Sequence, residues 1–320
     1  MLNKKTHINR PINQLKLYGN RDYFNKFKKL YINKKLPNAI LLTGNKGLGK
    51  ATLAYHFINY LLSNNDKSKY NSENFSIDEN NINFKLINNL THPNFFLLDN
   101  DDKSDNIKIE QVRKLIDFVN KSTYSKNLKI ILIDNCENLN LNSSNALLKV
   151  LEEASNNTYF FIIHNNPAII LNTIKSRCIE FKFFLNHEKN LETFKNLCKQ
   201  HNVNTKFDEL HNNFYFETPG NLLNYLLYFN DKNIDICNEK LSSILYLVEN
   251  YNSKDSSELL NYALTFIEYY FNELCLKNTN LSTYYFNYKY KILNRAKDMK
   301  KYNLDKKNLI NYLNRILIYA

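Results

Sequence analysis

The sequence contains no tryptophan, two methionines, five prolines and only five glycines in 320 residues. With glycine this scarce, any local cluster of it needs a physical reason. The five cysteines, Cys136, Cys178, Cys198, Cys237 and Cys275, are widely spaced, odd in number and form no CxxC pair. That excludes a disulfide framework and points to reduced, buried thiols. Seven histidines form no HxxxH pair, so a metal site has no sequence support. Long apolar runs are also missing: stretches such as Leu222–Phe229 fall far short of the roughly 20 residues a membrane helix needs. Met1–Asn20 carries charge but no apolar core followed by small residues, so it does not read as a signal peptide. A cytoplasmic protein without membrane contact is the expectation.

What is present argues for folded domains. Hydrophobic residues make up 43% and aromatics 14% of the chain, too much for disorder. A length of 320 residues predicts two or three compact units. The heavy use of Asn, Lys, Ile and Tyr reads as codon bias and receives no functional meaning. The net charge of +12 favours a polyanionic partner such as nucleic acid, although Lys-rich surfaces also follow from codon bias. The excess reads as spread along the chain without a basic block.

From Ala39 to Phe184, short apolar runs alternate with helix-period segments, the pattern of an α/β fold around a parallel sheet. Five strands are predicted at Ala39–Thr43, Asn94–Leu98, Lys129–Asp134, Thr158–His164 and Cys178–Phe183. Helices are predicted at Lys50–Leu62, Glu110–Asn120 and Asn142–Glu153. Ser63–Asn83 and the acidic Asp99–Asp105 read as solvated loops. Beyond Leu185 the apolar spacing is helical throughout, as in Leu260, Leu264, Ile267 and Phe271.

Three of the five glycines, Gly44, Gly47 and Gly49, lie within six residues after a predicted strand and before a predicted helix. In a Walker A loop such glycines let backbone N–H groups curl around phosphate oxygens, and the lysine, here Lys50, reaches the terminal phosphates. The pattern asks next for a hydroxyl that binds Mg²⁺, but Ala51 stands there and Thr52 follows one position later. One helical step turns a side chain by about 100°, so Thr52 is an imperfect substitute. Lys129–Asp134 is the Walker B candidate, an apolar strand ending in an acid. An ATP-hydrolysing site would normally place Glu after Asp134, and Asn135 is there instead, with Glu137 further along. Nucleotide binding is therefore better supported than turnover.

These segments resemble the clamp-loader subunits of bacterial DNA polymerase III, in the delta-prime variety that keeps a P-loop. The resemblance rests on Leu36-Pro-Asn-Ala-Ile-Leu-Leu-Thr-Gly44 leading into Gly47-Leu-Gly-Lys-Ala-Thr-Leu-Ala-Tyr55. It continues through Thr91-His-Pro-Asn94, Ile109-Glu-Gln-Val-Arg-Lys-Leu115 and Asn145-Ala-Leu-Leu-Lys-Val-Leu-Glu-Glu153, and ends at Thr173-Ile-Lys-Ser-Arg-Cys178. The motifs keep the family's order over roughly Leu36 to Phe184. The helical half matches only in general character and in Thr218-Pro-Gly220.

The resemblance implies an AAA+-type P-loop domain with a five-stranded parallel sheet over residues 1–185. A helical lid over 186–233 and an all-helical collar for oligomerisation over 234–320 would follow. It implies ATP or ADP, with or without Mg²⁺, held by Gly44, Gly47, Gly49, Lys50, Thr52, Asp134 and Asn165. Arg177 would be an arginine finger acting in trans on the nucleotide of a neighbouring subunit. The implied partners are gamma/tau-type motor and delta-type clamp-opening subunits, with primer-template DNA met through the complex and the sliding clamp indirectly. Departures matter too. Ala154 replaces the usual Pro, and Asn221 stands where an arginine is common. No cysteine lies between the P-loop helix and His92, so the zinc module of many relatives is not expected. A stator subunit is the leading reading. A gamma/tau-type ATPase motor is opposed by Ala51, Asn135 and Asn221, and a DNA-binding module without nucleotide chemistry has only the charge in its favour. Arg113 and Lys114 are candidates for phosphate contact, with a solvated helix face as the competing reading.

Overall fold

A computed structural model of the protein describes residues 10–63, 68–100, 106–121, 128–153, 157–166, 170–203, 214, 216–230, 234, 239–251, 257–302 and 304–317. It divides into two compact units. Among the described residues, one comprises those within 10–202 together with 217–221, and the other those within 203–216 and 222–317.

The first unit is built on five parallel strands: β1 (Ala39–Asn45), β2 (Phe95–Leu98), β3 (Lys129–Ile133), β4 (Thr158–Asn166) and β5 (Ile179–Lys182). Their spatial order is β2-β3-β4-β1-β5. Strand β1 is hydrogen-bonded on both sides, Leu41 lying opposite Ile162 on β4 and Glu180 on β5. The central strands are apolar on both faces because helices cover both faces, as parallel sheets require. Ile40, Leu42, Phe161 and Ile163 face one layer, while Leu41, Ile131, Ile133 and Ile162 face the other.

The first layer contains α1 (Arg21–Ile32) and α2 (Lys50–Leu62). Its core is aromatic: the Phe24 ring meets Phe57 edge-on at 5.6 Å and stacks on Tyr70 at 5.0 Å, and Phe27 meets Phe181 at 4.9 Å. The opposite layer holds α4 (Ile109–Asn120) and α5 (Leu141–Glu153), whose Val112, Leu115, Leu147 and Val150 are buried against the sheet. Lys129, at the start of β3, is itself buried. Its ammonium donates to the Phe118, Val119 and Lys121 carbonyls, which satisfies the open C-terminal end of α4.

The predicted helix Lys50–Leu62 agrees with the structure at both ends, and the strands agree to within two residues. One stretch differs. Ser63–Asn83 is no solvated loop where it is described, because Tyr70, Phe75 and Ile77 are buried in the aromatic core and Asn71 pairs with Ser76 in a β-bridge. Its polar composition hid three apolar anchors that complete the layer over α1 and α2. It then leads into α3 (Ile82–Asn88), capped by the Asn81 side chain accepting from Phe84 N–H. Most of Asp99–Asp105 lies outside the described residues. A one-turn helix, α6 (Asn172–Lys175), and α7 (His187–Gln200) complete the unit.

The second unit is helical in its described residues: most of α8 (Pro219–Asn230), then α9 (Lys240–Glu249), α10 (Ser257–Lys277), α11 (Ser282–Tyr302) and α12 (Lys306–Leu317). Phe214, Tyr225, Phe229 and Phe266 form its aromatic centre, with Phe214 stacked on Tyr269 at 4.6 Å.

Candidate nucleotide-binding site

The loop between β1 and α2 takes its shape from its glycines. Gly44, Gly47 and Gly49 have φ of 149°, 88° and 78°, conformations a side chain would strain. At Gly47 space adds a second demand, since a Cβ there would lie 2.1 Å from the Thr218 hydroxyl. The segment Glu217–Asn221 covers this point of the loop. Thr218 Oγ1 donates to the Lys46 carbonyl at 2.8 Å, and Gly220 N–H donates to the Gly47 carbonyl at 3.1 Å. Asn20, in a left-handed conformation at the start of α1, holds the other side of the loop by donating its amide to Leu48 O at 2.6 Å.

Lys50 opens α2 with 3% of its surface exposed. Its ammonium donates to Gly44 O at 2.7 Å and Asn45 O at 2.8 Å, both in its own loop. Burial lowers its pKa to about 8, against the pull of the Asp134 and Glu137 carboxylates. Asp134 follows the end of β3. Burial raises its carboxyl to about 7, the Asp99 carboxylate adds to the rise, and a bond of 2.9 Å accepted from Asn135 N–H opposes it. Thr52 is half-buried one helical step beyond Ala51.

At the end of β4, Asn165 enters the same group. Its side-chain amide donates to Glu137 Oε1 at 2.8 Å and to Asn135 Oδ1 at 3.1 Å, and its backbone N–H donates to Glu137 Oε2 at 3.1 Å. Asn135 in turn donates to Asp99 Oδ1 at 2.9 Å. The structure thus brings Lys50, Asp134 and Asn165 to one edge of the sheet, where the carboxyl ends of the strands meet the glycine loop. Sequence reasoning missed the importance of Glu137, Asp99 and Thr218 here. The signal for Glu137 was its place one short turn after Asp134; Asp99 followed the second predicted strand; Thr218 was visible only as the start of the Thr218-Pro-Gly220 segment, with no sign of its partner.

The residues fit a phosphate group: an anion would meet a loop of left-handed glycines, a helix N-terminus and a desolvated ammonium. They fit a divalent cation less well, because Ala51 offers no oxygen. Among the described residues no cluster of three or more His, Cys, Asp and Glu could hold a metal ion.

Arg177 does not join this group. It lies in the turn between α6 and β5, exposed, and pairs with Glu152 of α5 while donating to the Thr173 carbonyl at 2.9 Å. Arg113 and Lys114 are exposed on α4.

The strand order and the glycine loop with its buried lysine define a P-loop α/β domain, with a helical region beyond it. The sequence profile of the family described as "DNA polymerase III, delta subunit" matches residues 19–186, and the chain belongs to that family. Two curated relatives are named DNA polymerase III subunit delta'. The one from Pseudomonas aeruginosa is 34% identical over 45% of this chain and 42% of its own length. The one from Buchnera aphidicola subsp. Schizaphis graminum is 32% identical over 56% and 53%. A gamma subunit from the same Buchnera is 29% identical over 43% of this chain and 39% of its own. The chain thus spans about half the length of the curated relatives it matches. Among the described residues, no helix is long and apolar enough to cross a membrane.

Proposed function

We propose that this chain acts as a delta-prime-type stator in a DNA polymerase III clamp loader, offering Arg177 to the nucleotide site of a neighbouring motor subunit. One observation carries the reading. Arg177 stands exposed beside the edge strand β5, steadied by Glu152 and a backbone carbonyl, while Lys50, Asp134 and Asn165 converge elsewhere. An arginine placed to serve its own phosphates would belong to that inner group. In trans, a planar guanidinium can span two oxygens of a transferring phosphoryl group.

The chain's own loop binds ATP or ADP through Gly44, Gly47, Gly49 and Lys50, with Thr52, Asp134 and Asn165 at its edge. Without a hydroxyl at position 51 or a carboxylate at 135, its hydrolysis stays near background. Gamma/tau-type and delta-type subunits are the proposed partners, primer-template DNA is met through the complex in the cytoplasm, and the clamp is met indirectly. The lid over 186–233 and the collar over 234–320 belong to the same proposal. The test is to reconstitute the complex with wild-type, Arg177→Ala and Arg177→Lys chains and measure DNA-stimulated hydrolysis and clamp loading together. Normal assembly with impaired loading, poorly rescued by lysine, is expected. Unchanged loading by a fully assembled Arg177→Ala complex would overturn the reading.

A further inference from the structure

The cationic excess is not evenly spread, contrary to the expectation from the sequence. Residues 21–35, which form α1 and the turn after it, hold Arg21, Lys26, Lys28, Lys29, Lys34 and Lys35 against a single acid, Asp22. Fifteen residues of the chain's average composition would carry about two basic residues and one or two acids, so codon bias does not account for the cluster. The one acid is already answered, because Asp22 is paired with Lys189 of α7 at 2.7 Å.

The fold turns this cluster outward. Phe24 and Phe27 point α1 into the aromatic core, leaving Arg21, Lys26 and Lys29 on the exposed side, with Lys34 and Lys35 continuing from its C-terminal end. At 1.5 Å per residue the row extends about 20 Å. Some of these cations also serve the fold: the Lys28 ammonium lies 5.6 Å from the Tyr60 ring centre and the Lys26 ammonium 5.0 Å from that of Phe181. Among the described residues, Lys29, Lys34 and Lys35 have no such partner and none of them is paired with a carboxylate. A helix C-terminus favours nearby cations, but that effect fades within one turn and does not require a row of this length.

We infer that the outer face of α1 and its following turn bind the phosphate backbone of duplex DNA without regard to sequence. Three features favour this partner over an acidic protein. The row is extended, matching a polymer with one charge per about 1.7 Å of axis. A protein interface needs buried aromatic or apolar anchors, and this face offers only Ile32. The long, flexible lysines suit contacts that position a duplex rather than read it. The inference concerns a different surface from the nucleotide loop and Arg177 and stands independently of their roles.

The test is fluorescence anisotropy of a labelled 30-base-pair duplex with the full chain, titrated with NaCl. If about four phosphates are contacted, the logarithm of the binding constant should fall with the logarithm of salt at a slope of about −3 to −4. The variant Lys29→Glu/Lys34→Glu/Lys35→Glu should bind more than tenfold more weakly at low salt and flatten the slope by more than one unit, with an unchanged melting temperature. A control, Lys291→Glu/Lys297→Glu/Lys301→Glu, changes net charge equally using exposed lysines of α11. It should retain most of the affinity. Equal losses in both variants would overturn the inference, as would stronger binding to phosphatidylglycerol vesicles than to duplex. Neither outcome bears on Arg177, whose test reads hydrolysis and loading.

Discussion

Lys50 and Arg177 are both cations placed by one sheet, yet they differ in burial and in whether a carboxylate holds them. Lys50 is 3% exposed, desolvated and bonded to two carbonyls of its own loop. Arg177 is exposed at the sheet's edge and makes a carboxylate contact that solvent weakens. A charge held inside is committed to the chain that holds it. A charge held at the surface by an exposed ion pair, worth at most about 1 kcal/mol, can be given to something else at little cost.

The largest expected effect follows from the outer cation. At the one neighbouring site that Arg177 is proposed to serve, Arg177→Ala should lower hydrolysis by up to about 10³-fold, while this chain's own nucleotide affinity stays as in the wild type. Calorimetry on the isolated chain checks the second half of that statement. The inner cation should show the reverse pattern. Lys50→Ala should weaken nucleotide binding by about 10- to 100-fold, the range for losing a charge-assisted hydrogen bond, and leave the neighbour's site intact if assembly is preserved. A shared phenotype for the two variants would break the comparison.

Smaller effects sharpen it. Gly47→Ala places a methyl on the Thr218 hydroxyl and forces an alanine to a φ of 88°, so it should destabilise the sheet unit by about 1–3 kcal/mol. Thermal unfolding should register this as a fall of several degrees. Thr218→Gly should restore part of it by removing the clash, and no restoration would show that backbone strain alone is responsible. The smallest effect is one of pH. Asp134 is raised to about 7 from 3.8, so between about pH 4 and 7 the folded chain keeps a proton that the unfolded chain has lost. Stability should therefore fall as pH rises through that window and level off above it. Asp134→Asn should flatten the slope, as measured by urea midpoints at pH 5, 6, 7 and 8. An unchanged slope would assign the effect to another group.

The sheet was legible because its strands are apolar runs bounded by breaks, and α2 because glycine opens it and polar residues close it. The glycine loop was visible for the plainest reason, since three of five glycines fell together. Much of what escaped notice has its partner in another segment of the chain. Tyr70, Phe75 and Ile77 are single apolar residues in a polar stretch and acquire meaning only against Phe24 and Phe57. Thr218 acquires its role only by landing on a loop 172 residues earlier. Helix α1 was not predicted, because its lysines masked a buried face made of few residues.

One contact has a kinetic meaning. The Asn165 amide has two N–H groups, and they face Asn135 and Glu137. If the proposed nucleotide reaches this amide, its phosphate must take the place of one of them, so association becomes a substitution rather than an addition. The energy gained on the incoming oxygen is offset by the bond released, and the group most readily released is Glu137, an anion that a phosphate repels. Occupation of the site should then be read out as a movement of the Glu137 carboxylate away from Asn165.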